Sequence, residues 1–149
     1  MKIEEAIKQK HFSNEFEKAV VNLIFTANHF HSIHQKLLKP FGISPEQYNV
    51  LRILRGSNPG KLSAIEIASR MLDRNSNATR LVEKLRLKSL IERNQCPNDK
   101  RQVDIGITSL GLTILQKIDI EMNVWKKSLE KIPMEDAIQL NNMLDEMRS

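Results

Sequence analysis

Residues 63–88 read Ser63-Ala64-Ile65-Glu66-Ile67-Ala68-Ser69-Arg70-Met71-Leu72-Asp73-Arg74-Asn75-Ser76-Asn77-Ala78-Thr79-Arg80-Leu81-Val82-Glu83-Lys84-Leu85-Arg86-Leu87-Lys88. Ser63 and Glu66 have the spacing of a capping box. They open a short helix expected to run through Leu72, with Ile65, Ile67, Ala68 and Leu72 inward. The polar stretch Asp73-Arg74-Asn75-Ser76 interrupts it. A second helix then extends to about Lys88, with Ala78, Leu81, Val82 and Leu85 as its buried stripe. Two short helices joined by a tight polar turn make a helix-turn-helix pair.

Downstream the period changes. Leu90-Ile91-Glu92-Arg93 and Val103-Asp104-Ile105-Gly106-Ile107 alternate apolar with polar or small residues, as strands do. Asn94 to Gln102, with Pro97, Asn98 and Asp99, is expected to be the hairpin loop. A ribbon after the helix pair is the order of a winged helix-turn-helix, whose second helix enters a major groove.

The outer segments are helical. Phe16, Val20, Leu23, Ala27, Phe30, His34 and Leu37 run at four-three spacing along a helix from about Ser13 to Lys39, ended by Pro40 and Gly42. Ser44-Pro45-Glu46-Gln47 starts the next, with a capping box and Pro at the first helical position, and Tyr48, Val50, Leu51, Ile53 and Leu54 inward. Thr108 caps a long helix carrying Leu115, Ile118, Met122, Trp125, Leu129 and Ile132. Pro133 breaks the chain before a last helix with Ala137, Leu140, Leu144 and Met147 inward. The expected fold is mainly α with a small β-ribbon in a single domain, 1–149. A winged module at 44–108 is flanked by helical regions at 1–40 and 109–149. The apolar stripes of those flanks would stay exposed on a chain this small unless a partner covered them, so a homodimer is expected, with packing of those helices against the winged module of the same chain as the alternative.

Charge placement agrees with a nucleic-acid partner. Residues 44–108 hold 12 Lys/Arg against 7 Asp/Glu, while the rest of the chain holds 11 of each, so the formal charge of +5 lies entirely in the middle. Phosphate binding needs such a local excess. Removing the buried stripe from the second helix leaves Asn75, Ser76, Asn77, Thr79, Arg80, Glu83, Lys84 and Arg86. Asn reads adenine, Arg reads guanine, and Thr donates a hydrogen bond or touches the thymine methyl. A solvated helix face would also accept these residues. Lys100-Arg101 sits at the hairpin tip, where a guanidinium can enter a minor groove. Asp99 is expected to hold a neighbouring guanidinium in one rotamer, although an ordinary charged turn has the same composition.

Taken together, Ser76-x-x-Thr79-Arg80-Leu81-Val82-x-x-Leu85, Leu90-Ile91-x-Arg93, Asp99-Lys100-Arg101 and Ile105-x-Ile107-Thr108 resemble the multiple-antibiotic-resistance regulator (MarR) family. Gln47-Tyr48-x-Val50-Leu51 and Glu66-Ile67-Ala68 extend the likeness upstream. The resemblance implies a triangular homodimer with interleaved terminal helices. It places Arg101 in the minor groove and Ser76 to Lys84 over the major groove of a pseudo-palindromic operator. It also implies repression, relieved by a small aromatic or anionic effector. The DNA-binding residues expected are therefore Asn75, Ser76, Asn77, Thr79, Arg80, Lys84, Asp99, Lys100 and Arg101.

Several features point elsewhere. His29, His31 and His34 cluster on the first helix, but no Cys or acidic residue nearby in sequence completes a metal set, so no metal or cofactor is expected. Cys96 lies in the wing among Arg93, Lys100 and Arg101, which can activate a thiol, yet it is a lone cysteine. Tyr48 and Trp125 can line a ligand pocket, although both fall on apolar stripes. The chain lacks a Gly-rich phosphate loop and any catalytic signature, so it is not expected to be an enzyme. A winged helix used as a protein-binding adaptor is the competing reading. No apolar run can span a bilayer and no signal-peptide core is seen, so a cytoplasmic location is expected.

Overall fold

The computed structural model describes the backbone of residues 1–149, and every side chain except that of Lys100. Seven α-helices and one ribbon succeed one another in the order α1 (Ile3–Ala6), α2 (Glu15–Leu38), α3 (Pro45–Ser57), α4 (Ala64–Arg70), α5 (Ala78–Leu87), β1 (Ile91–Cys96), β2 (Asp99–Ile107), α6 (Ser109–Lys127) and α7 (Met134–Glu146). A single 3-10 turn, Lys39–Phe41, ends on Gly42 at φ +68°, and this turn carries α2 into α3. Among the described residues, no helix is long and apolar enough to cross a membrane.

The helix starts are written in side-chain chemistry. Asn14, Ser44, Ser63, Asn77 and Thr108 each accept a hydrogen bond from a backbone N–H of the first turn they cap. At Ser44 and Ser63 the box is closed by Gln47 and Glu66. The core gathers Leu38, Val50, Leu51, Leu54, Ile67, Val82, Leu85, Ile105, Leu115 and Ile118. Through it α3 packs on α2, α4, α5, β2 and α6. The strands are antiparallel, Ile91 opposite Ile107 and Arg93 opposite Ile105. Leu62 adds a third rung, its N–H and C=O both bonded to Ile105 at 2.9 and 2.8 Å. The wing is thereby tied to the start of α4.

Four expectations need correction. The helix α4 stops at Arg70, because Met71 turns to an extended ψ of 139°. Met71 therefore enters the core beside Ile67, whereas Ile65 and Leu72 are 82% and 86% exposed. The hairpin loop shrinks to Pro97-Asn98, because ladder hydrogen bonds hold the ribbon whether or not its side chains alternate. The helix α6 ends at Lys127, leaving Leu129 and Ile132 in the turn beyond it. Within one chain, Leu140 of α7 and Met147 just after it are exposed, as are Phe16, Val20 and Leu23 of α2. The sequence pattern also gives no sign of α1, whose Ile3 is buried and whose Glu4 pairs with Lys18.

Gly111 marks the tightest join between wing and frame. A Cβ there would lie 2.3 Å from the Leu90 carbonyl oxygen and 2.7 Å from Ile107 Cγ1. Helix propensity alone favours Gly111→Ala by about 1 kcal/mol. Overpacking against a backbone oxygen opposes it by roughly 1–3 kcal/mol and should prevail. The variant should unfold at lower urea than wild type, and an unchanged or higher midpoint would show that the join is loose.

Candidate nucleic-acid interface

The turn between α4 and α5 sets up the exposed face of α5 through short polar bonds. The Asp73 carboxylate accepts the Asn75 N–H at 2.9 Å, and its carbonyl accepts the Ser76 N–H at 3.2 Å. The Asn77 side chain then accepts the Arg80 N–H at 3.0 Å and caps α5. Asn75 and Ser76 consequently sit in the turn, ahead of the helix to which the sequence pattern assigns them. Asn75, Asn77, Thr79, Arg80 and Lys84 are exposed. Ser76 is half-buried, and its hydroxyl oxygen is inaccessible and without a partner among the described atoms.

Ser76, Asn77, Arg80, Leu81 and Lys84 line a groove of about 380 Å³ together with Glu46 and Asp73. Neither carboxylate is among the residues expected from the sequence. The spacing of Asp73 from Asn75 is a legible signal for an Asx-type turn. Glu46 arrives from α3 and leaves no local signal. Arg86 is taken up by Glu83, which receives two of its N–H bonds at 3.0 and 2.8 Å and is held below the usual carboxylate range chiefly by that contact. Arg80 and Lys84 enter none of the ion pairs among the described residues, so their charges face solvent.

On the wing, Asp99 opens β2 and its carboxylate accepts the Arg101 backbone N–H at 2.9 Å. Asp99 thus fixes the strand that carries Arg101, in place of the expected contact to a guanidinium. Arg101 is exposed, and the Lys100 side chain lies outside the described residues. At the base of the wing, Lys61 pairs with Glu92 at 3.0 Å. Cys96 is half-buried.

Above this surface a second cavity of about 160 Å³ opens between α2, α3 and the α4–α5 turn, lined in part by His31, His34, Tyr48, Asn49, Arg52 and Leu72. Arg52 lies 5.8 Å over the Tyr48 ring. Tyr48 and Trp125 both pack on the core, as their apolar stripes indicate; Tyr48 also lines the cavity, whereas Trp125 packs edge-on against His34 at 4.7 Å and Phe30 at 5.6 Å. The Nε2 of His34 is buried without a described partner. His31 instead points its Nε2 toward Glu46, 4.0 Å away. Among the described residues, no three His, Cys, Asp or Glu side chains gather as a metal set.

A basic, exposed helix set on a helix-turn-helix and succeeded by a ribbon defines a winged helix-turn-helix protein. Residues 43–103 match the family model described as "MarR family". It is 36% identical over 88 residues to the uncharacterized HTH-type transcriptional regulator YkoM of Bacillus subtilis, covering 59% of this chain and 54% of that protein. The match thus spans about half the length of that relative. The fold is similar to a MarR transcription factor from Planctomyces limnophilus, with 27% identity, TM-score 0.65, and 93% and 98% of the two chains covered. It is also similar to MepR of S. aureus in a DNA complex, with 22% identity, TM-score 0.76, and 92% and 97% covered.

Burial, reinforced by the charges of His31, Lys126 and Arg52, holds the His34 imidazole below its ordinary value of 6.5. The unfolded chain therefore binds this proton more readily than the folded one. Its contribution is complete above about pH 6.5 and is lost as the pH falls through the lowered native value. Urea midpoints measured from pH 7.5 to 5.5 should fall more steeply for wild type than for His34→Gln. Parallel curves would show that folding does not lower the affinity of His34 for its proton.

Proposed function

We propose that the protein is a sequence-specific, double-stranded DNA-binding transcriptional regulator. It acts as a homodimer and as a repressor that a small molecule releases. The observation that carries this reading is the exposed row Asn75, Asn77, Thr79, Arg80 and Lys84, with Arg101 braced by Asp99 on the wing. A major groove accepts a helix, and an amide or guanidinium at its start reaches base edges. The wing guanidinium suits a narrow minor groove. Ser76 and Asp99 work through backbone geometry, and Lys100 adds charge at the wing. A protein of similar fold, MepR of S. aureus, has been solved in a complex with DNA, which supports the reading.

Homodimer formation rests on the apolar residues that one chain leaves uncovered, including Phe16, Leu23 and Ile24 on α2 and Ile138, Leu140 and Met143 on α7. Monomers seldom expose large contiguous apolar patches. The effector reading rests on the cavity beside Tyr48. Arg52, which lies over the Tyr48 ring, supplies a cation beside an aromatic side chain in the cavity lining, which suits a small aromatic or anionic compound. The adaptor reading retains one observation in its favour, the exposed Ile65 and Leu72 on the flank of α4.

Duplexes selected from a random pool test the reading directly. Arg101→Ala should weaken binding to many sequences and flatten the salt dependence by about one charge per subunit. Arg80→Ala and Asn77→Ala should each cost roughly 1–3 kcal/mol on the selected site and relax its preference at particular positions. The site should be an imperfect palindrome with half-site centres about one helical turn apart. Three variants indistinguishable from wild type on selected and scrambled duplexes would leave the adaptor as the better reading.

Sedimentation should give twice the 17.2 kDa chain mass at micromolar concentration. Leu23→Glu or Leu140→Glu should lower assembly and DNA affinity together. A wild-type monomer that binds DNA tightly would exclude the dimer.

A further inference from the structure

Two side-chain bonds tie the α4–α5 turn to its surroundings: the Arg74 guanidinium donates to the Ser69 carbonyl on α4, and the other comes from α3. Asn49, half-buried on α3, accepts the Leu72 N–H on its Oδ1 at 2.9 Å across 23 residues of sequence. Leu72 itself brings nothing to the core, since its side chain is 86% exposed. Its neighbour Met71 is buried, but packing is non-directional and fixes a position more than an orientation. The backbone at Leu72 is oriented by the Asn49 bond, because a hydrogen bond weakens steeply as it bends.

Beyond Leu72 the chain is ordered by a continuous series of local bonds. Asp73 takes the N–H groups of Asn75 and Ser76, and Asn77 takes that of Arg80. Each link sets the direction of the next, so the series runs from α3 to the residues that face the groove. Asn49 and Leu72 also line the upper cavity, while Asp73 lines both the cavity and the groove. The anchor therefore sits where the two spaces share a wall.

We propose that Asn49 is a positioning residue that determines DNA specificity: by holding the Leu72 N–H it orients the turn, and through it Asn77 and Arg80. This rests on the DNA-binding reading above. Asn49 touches no base and adds no charge, so its loss should affect selectivity and leave the phosphate contacts alone.

The test compares full-length wild type, Asn49→Ala and Asn49→Asp on the selected duplex and a scrambled one, across a salt series. Asn49→Ala should lose on the order of 10-fold in preference for the selected duplex, about the worth of one base contact, with its salt slope unchanged. Asn49→Asp retains an acceptor for the Leu72 N–H. Its added negative charge should weaken both duplexes alike while keeping their ratio. The Leu72 amide should exchange slowly with solvent in wild type and Asn49→Asp, and quickly in Asn49→Ala. An Asn49→Ala protein with the wild-type ratio overturns the inference, as does one that loses both duplexes in parallel with its thermal midpoint. If that variant does not fold, the wild-type amide decides: exchange at the Leu72 amide as fast as in an open loop overturns the assignment. A wild type that selects no duplex removes the DNA-binding reading itself, an outcome distinct from selection that survives the loss of Asn49.

Discussion

Burial of one row on α3 is the interaction on which the rest depends. Val50, Leu51 and Leu54 are almost wholly shielded from solvent, and their helix is in contact with α2, α4, α5, β2 and α6. Removing each such side chain from water contributes roughly 1.5–3 kcal/mol. The bidentate Arg55–Asp119 pair, at 2.6 and 3.4 Å, also joins α3 to α6. It is partly exposed, and pairs of that kind contribute only about 0–1 kcal/mol. Packing therefore holds the winged module to the helical frame, and the ion pair selects among orientations that packing already permits.

Once α3 is fixed, so is the placement of the basic surface. The α5 helix lies on α3 through Ala78, Val82 and Leu85, which turns Thr79, Arg80 and Lys84 outward. The wing leaves the same core through Ile91, Ile105 and Ile107, with Leu62 bonded to Ile105 as a brace. The helix start and wing tip, the two parts proposed to meet DNA, are thus mounted on one core. The segments carrying the polar side chains have few buried residues of their own. Local bonds at Asp73, Asn77 and Asp99 supply the order that packing does not.

Helices are legible wherever a cap precedes an apolar stripe. Ser44, Ser63 and Thr108 announce α3, α4 and α6 because capping is a local transaction between a side chain and the next turn. Legibility fails where the outcome depends on distant atoms. The inward assignment of Leu72 assumes a helix that continues, whereas the chain leaves the helix at Met71 and buries that residue instead. The strands run nearer the wing tip than alternation indicates, since Asn94 and Gln95 pair through their backbones with Asp104 and Val103. Ile3 in α1 escapes notice because four residues carry too little periodicity to be read.

The sequence by itself determined the order of elements, the caps and turns, the concentration of basic charge between residues 44 and 108, and the motifs from Gln47 to Thr108 that resemble the MarR family. These properties depend on residues a few positions apart, and periodicity or motif spacing records them. Only the tertiary structure decided that Glu46 and Asp73 share a wall, that Trp125 closes on His34 and Phe30 while Tyr48 faces a cavity, and that Asn49 holds Leu72. Such pairings join residues tens of positions apart. They arise from the angles at which whole helices pack, and no local pattern in the chain encodes those angles.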